Sequence, residues 1–264
     1  MNIFFHELKA NLKSLITWCV VIFLLIIMAL AKFTSFEGNP DMLKLLDAIP
    51  PAILDAFSMR SFNLSTLSGF FGLMLVYFYL MGAMAGALWG SEIISKEERD
   101  KTVEFSLVLP VSRSRVVTAK ALAALVYCIL FVLVTWGTTL VGVRKFNPEP
   151  AFYDYLALEM QALFIIELVF LSVGLLLGCA MKRYKRSGQL AIGIILVTYF
   201  LSVATDLNKD LEFLKYVTPF KYFDAIRLFN DGKMELAFIA ISATIIMICV
   251  AAGYWIYNKR DLYI

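Results

Sequence analysis

Six long windows almost free of charge constrain this chain more than any other feature. They cover residues 14–31, 61–91, 121–143, 160–181, 187–205 and 236–258, and Glu167 is the one charged residue inside them. Each is close to or longer than the roughly 17–25 residues a helix needs to cross the hydrocarbon core. The windows show no period-2 alternation, and lipid leaves a spanning backbone few ways to satisfy its polar groups other than a helix or a closed barrel. The second window opens on polar residues (Asn63, Ser65, Thr66, Ser68) that suit an interface, so its span is expected over about 67–91. At 61% hydrophobic and 17% charged, the chain lies far from the about 45–50% and about 25% of soluble domains. A soluble enzyme is thereby excluded, and the expected fold is an all-α integral membrane protein with six transmembrane helices in one domain over 1–264.

Six spans place both termini on one side. The segments 1–13, 92–120, 182–186 and 259–264 then hold 14 basic and 7 acidic residues, against 10 and 13 in the longer segments 32–60, 144–159 and 206–235. The positive-inside rule puts the first set, and both termini, in the cytoplasm. The basic turn Lys182-Arg183-Tyr184-Lys185-Arg186 is its strongest vote. Ala29-Leu30-Ala31 resembles a signal cleavage site, but the apolar run before it exceeds the roughly 7–15 residues of a signal core. A retained first helix is the expectation.

Between the spans the sequence carries further pattern. Ile3, Phe4, Phe5, Leu8, Leu12 and Leu15 recur at helical spacing with Glu7, Lys9 and Lys13 on the remaining arc. That spacing fits an amphipathic helix on the inner membrane surface, and equally a straight extension of the first span. The 29-residue segment 92–120 is longer than the about 2–8 residues a bundle turn needs. It alternates a charged stretch with the apolar run 103–109 and stops at Pro110. Thr102 can cap that run and Glu104 can complement its dipole, and Ser112 or Ser114 can cap the next helix. The segments 32–60 and 206–235 are expected to hold short interfacial helices, divided at Pro50-Pro51 and Thr218-Pro219.

Several chemistries are missing. There is no phosphate-cradling G-x-x-x-x-G-K-[ST] or dinucleotide G-x-G-x-x-G. His6 is the single histidine, so no histidine triad or histidine zinc site is expected within the spans, no metal site is expected, and no catalytic residue is assigned. The basic residues are accounted for by topology and call for no nucleic acid. The four cysteines fall inside the spans without metal-ligand spacing and read as packing residues. Gly82, Gly86 and Gly90, and Gly174 with Gly178, form G-x-x-x-G steps at which helices pack closely. Glu167, seven residues into its window, is an ionisable group in lipid: either part of a translocation pathway, or a group that snorkels or bonds within the bundle.

The stretch Glu97-Glu98-Arg99-Asp100-Lys101-Thr102-Val103-Glu104-Phe105, followed by Leu109-Pro110-Val111-Ser112-Arg113 and Lys120, resembles the signature of ABC-2-type permeases, the membrane subunits of ABC transporters. Lys101 stands where a glycine often precedes the threonine. The resemblance extends to the Thr218-Pro219-Phe220-Lys221-Tyr222-Phe223-Asp224 segment and the ending Lys259-Arg260-Asp261-Leu262. It implies a permease paired with a second copy or a paralogue in the cytoplasmic membrane. The pair would be driven by separate cytoplasmic ABC ATPase subunits that bind ATP and Mg, with no cofactor in this chain. The segment 92–120 would form a cytoplasmic coupling helix, with Glu98, Thr102, Glu104, Phe105, Pro110, Ser112 and Arg113 as ATPase-coupling residues. Export is the usual direction in such systems. The competing readings are a stand-alone secondary transporter or channel using Glu167, and a membrane scaffold without transport. The first of these calls for repeats and broken helices that the sequence does not display.

Overall fold

The computed structural model describes residues 3–37, 63–99, 111–181 and 184–259, with backbone alone at 97–99, 184–185 and 209. Among them are α1 (Ile3–Ala10), α2 (Leu12–Phe36), α3 (Leu67–Arg99), α4 (Arg113–Val143), α5 (Pro150–Ala180), α6 (Tyr184–Leu207), α7 (Ala225–Asp231) and α8 (Leu236–Lys259). No strand occurs among the described residues, and six of the helices are long and apolar enough to cross a membrane. Most overrun the windows set by charge. Three begin or end on Arg or Lys, because a charge stops an apolar run without stopping a helix: long basic side chains reach the interface from a helix end.

The bundle is organised around α3 and α5. Of their apolar windows 61% and 67% are buried, against 17% in α6 and 22% in α8, which lie at the periphery of the bundle. The two central helices run parallel, since Gly82, Gly86 and Gly90 of α3 meet Leu163, Glu167 and Leu171 of α5 in the same order. Backbone meets backbone along this seam. A Cβ at Gly90 would lie 2.3 Å from the Leu171 carbonyl oxygen, and one at Gly174 would lie 2.1 Å from that of Ala87. At Gly82 the obstacle is only the end of the Leu163 side chain, 2.7 Å away.

The contacts sort the helix ends into two groups. At the terminal end Trp89 Nε1 donates to Ser14 Oγ at 3.1 Å, and Arg113 Nη1 to the Tyr257 carbonyl at 3.4 Å. At the far end Phe33 packs edge-on against Phe146 and tilted against Phe70. There the chain passes from α4 to α5 through a 3-10 turn closed by Asn147 in the left-handed region (φ 45), and Pro150 opens α5 where its missing N–H costs nothing. The segment between α6 and α8 folds as 3-10 turns over Lys209–Tyr216 and Pro219–Lys221, followed by α7. Thr218 Oγ1 pins it to α6 by donating to the Thr198 carbonyl at 2.8 Å, and Asp224 caps α7 by accepting from the Ile226 and Arg227 amides. Pro50-Pro51 lies outside the described residues.

Two expectations from sequence need correction. The chain turns at Asn11, so of the two alternatives left open α1 is the separate helix, but Glu7 does not lie on an exposed arc of it. Glu7 is 3% exposed while Phe5 is 60% exposed, and the face of α1 turned into the bundle is Phe4, Glu7, Leu8 and Asn11. Helical periodicity sorts residues by polarity, and it has no means of knowing that α3 and α4 bring lysines to meet this acid. Second, Glu167 is not alone within the spans. Helix α5 begins ten residues before the window edge, so Glu159 also lies within it, at 0% exposure.

Candidate functional site

Helix α5 carries its polar interior on one face. Tyr155, Glu159, Leu163 and Glu167 follow at four-residue spacing and all are buried. Glu167 lies 17 residues after Pro150, about 26 Å along a helix rising 1.5 Å per residue. It is therefore near the middle of the 31-residue helix, deeper than the sequence window suggested. Gly86 creates its space: a Cβ there would fall 3.1 Å from Glu167 Cγ and 2.6 Å from its carbonyl oxygen. Neither carboxyl oxygen of Glu167 has a hydrogen-bond partner among the described residues. The Cys128 thiol of α4 is close enough to act on it electrostatically. Thiols are weak donors.

Two turns nearer the far end, the Tyr79 hydroxyl of α3 donates to Glu159 Oε2. Glu159 Oε1 and the Tyr155 hydroxyl have no hydrogen-bond partner among the described residues. Tyr79 also lines a cavity of about 60 Å³ between α3, α6 and the turn before α7, together with Tyr77, Tyr199, Asp206, Lys221 and Asp224. That volume holds several waters. At its rim Lys221 Nζ is shared between Asp206 and Asp224, which neutralises part of the acidic charge. The result is a polar recess at the far end, backed by Tyr79, behind which stand two buried carboxyls. Sequence reasoning missed Glu159 because its window was drawn from Met160, although the eight-residue spacing to Glu167 put both on one helical face.

The coupling residues named from sequence are only partly in view. Thr102, Glu104, Phe105 and Pro110 lie outside the described residues, and Glu98 sits in the last turn of α3 with its backbone alone described. Ser112 caps α4, its Oγ accepting from the Arg115 amide at 3.3 Å. Arg113 turns toward the last carbonyls of α8, where a cation complements the helix dipole, and Ser114 Oγ pairs with the Asn258 side chain. The start of α4 is thus stapled to the end of α8. Gly178 packs 2.8 Å, measured from a virtual Cβ, from the Ser91 carbonyl oxygen.

A further polar knot stands where α1 crosses α3 and α4. Glu7 Oε1 is 3.8 Å from Lys120 Nζ and Glu7 Oε2 is 3.9 Å from Lys96 Nζ, while Asn11 Nδ2 donates to Oε2 at 3.2 Å. Lys120, at 0% exposure, donates to the Ile93 carbonyl at 2.7 Å. The Tyr127 hydroxyl donates to the Leu8 carbonyl at 2.6 Å.

A family model described as ABC-2 family transporter protein matches residues 1–262. The chain belongs to the ABC-2 transporter family. Comparison with curated proteins gives no match. Membership makes it a multi-pass ABC transporter permease, a transport subunit, and the described helices of this ABC-2 permease supply six apolar spans. In the permease, the α5 carboxyls of Glu159 and Glu167 stand inside the bundle.

Proposed function

We propose that this permease exports its cargo across the cytoplasmic membrane, driven by separate ABC ATPase subunits docked on the segment 92–120 of a permease pair. The match across residues 1–262 carries the reading. The apolar residues Val103, Phe105, Leu107 and Val108 support it, because a segment between two spans exposes such a cluster only if a protein covers it. Glu98, Thr102, Glu104, Pro110, Ser112 and Arg113 are proposed to frame or position this contact, with an aromatic anchor at its centre as in other protein interfaces. ATP and Mg would bind to the ATPase and no cofactor to this chain. Glu167 is proposed to line the pathway, and the glycines of α3 and α5 to hold the two helices together.

The test is co-purification. The wild-type chain is expected to retain an ATPase subunit in detergent, and alone to hydrolyse no ATP. Phe105→Ala is expected to weaken retention by about 2 kcal/mol, a loss of more than tenfold in affinity. Glu104→Lys should loosen hydrolysis from transport. Full retention by Phe105→Ala, or hydrolysis that survives removal of every partner, would refute the docking assignment.

Orientation follows from the basic residues. Both termini are proposed to face the cytoplasm. Single cysteines at the exposed positions Asn147 and Asn208 should react with an impermeant thiol reagent in intact cells, and one at exposed Lys259 should react only after lysis. The opposite pattern would invert the topology.

A further inference from the structure

We propose that Glu7 is a positioning residue for energy coupling: its carboxylate ties the end of α3 to the start of α4, so that the two helices flanking the segment 100–110 move as one body with α1 and α2. The inference rests on the permease reading above and adds a residue and a role to it. Glu7 occupies the buried face of a short helix, a place that costs a charged group its hydration unless opposite charge is supplied. Two lysines supply it, and they come from different helices: Lys96 lies three residues before α3 ends at Arg99, and Lys120 lies seven residues after α4 begins at Arg113. The surrounding bonds make the joint rigid. Tyr127 of α4 holds the α1 backbone, Lys120 holds the α3 backbone at Ile93, and Trp89 of α3 holds Ser14 at the start of α2. A pull on the docking segment therefore reaches four helices together and is not absorbed by α3 and α4 sliding apart.

The experiment needs no knowledge of the cargo. Spin labels are placed at the exposed far-end positions Asn147 and Asn208, in a background with the four native cysteines replaced. The complete permease–ATPase complex is then trapped with ATP, Mg and vanadate in liposomes, and the change in inter-label distance is measured. The wild-type sequence should show a nucleotide-dependent change. Glu7→Gln keeps the shape and the Asn11 contact but loses the charge, so it should still trap nucleotide while the shifted population falls about fivefold or more. Lys9→Met, on the exposed arc of α1, should shift like wild type. If Glu7→Gln does not accumulate as folded protein, Glu7→Gln with Lys120→Gln removes the fully buried pair, leaves Lys96 at the edge, and is read in the same way. A folded, nucleotide-trapping variant without the Glu7 carboxylate, single or double, that shows the full wild-type shift overturns the proposal. A wild-type complex that binds no ATPase or traps no nucleotide overturns the permease reading instead.

Discussion

Alanine at Gly174 is expected to cost the bundle about 3 kcal/mol or more, while alanine at Gly193 is expected to stabilise it by about 0.5–1 kcal/mol. The same methyl group is added to a helix in both cases, and the neighbours decide the sign. At Gly174 the new carbon would sit 2.1 Å from a backbone oxygen and 2.8 Å from the carbonyl carbon of Ala87. Backbone atoms of a packed parallel helix have no rotamer to which they can retreat, so α3 and α5 must separate. That separation would cost the dispersion contacts along the whole seam, the main cohesive force between helices in lipid. Gly193 of α6 has nothing within 4 Å, so its methyl group meets open space and the gain is the helix preference of alanine over glycine. Gly82 should fall between them, because only a leucine side-chain end must turn aside. The check is a denaturant titration in detergent of the three alanine variants beside wild type. Equal stabilities for Gly174→Ala and Gly193→Ala would show that the α3–α5 seam is not as close as described.

Glu167→Met is expected to make the protein more stable and less active. A buried polar group left without partners costs about 1–3 kcal/mol, and methionine fills a similar volume without that cost. Stability in detergent should therefore rise by about 1 kcal/mol or more. Transport, scored as complementation of a chromosomal deletion of this permease, should fall by about tenfold, the equivalent of about 1.4 kcal/mol on the limiting step. Glu167→Gln should share the loss of activity with a smaller gain in stability, since the amide still has donors and acceptors to satisfy. Greater stability with lower activity is the outcome that the proposed pathway role of Glu167 requires. Full complementation by Glu167→Met would reduce Glu167 to a packing residue, and a loss of stability would show that its oxygens are paired.

How much of this was legible in the sequence depends on the range of the interaction. The six spans are written in runs of apolar residues, because the cost of placing a charge in hydrocarbon is local and additive. The glycine steps on α3 and α5 are visible because small residues at four-residue spacing always share a face, and the resemblance that named the family lies in contiguous motifs. The serine cap of α4 could be narrowed to Ser112 or Ser114 from its place after Pro110, and it is Ser112 that holds the Arg115 amide.

What the tertiary structure alone decided is which buried polar groups meet. Periodicity puts Glu7 on the polar arc of α1 because a single helix offers it no partner; Lys96 and Lys120 lie 89 and 113 residues further along the chain and reach it only when three helices pack. A window bounded by charge puts Glu159 in a connecting segment, and its burial inside α5 is compensated by a tyrosine on another helix, 80 residues away, that satisfies one of its oxygens. Arg113 carried no sign of its position against the end of α8. Hydrophobicity is a property of each residue and can be read one residue at a time, whereas the compensation of a buried charge is a property of pairs, and the chain separates those partners by whole spans.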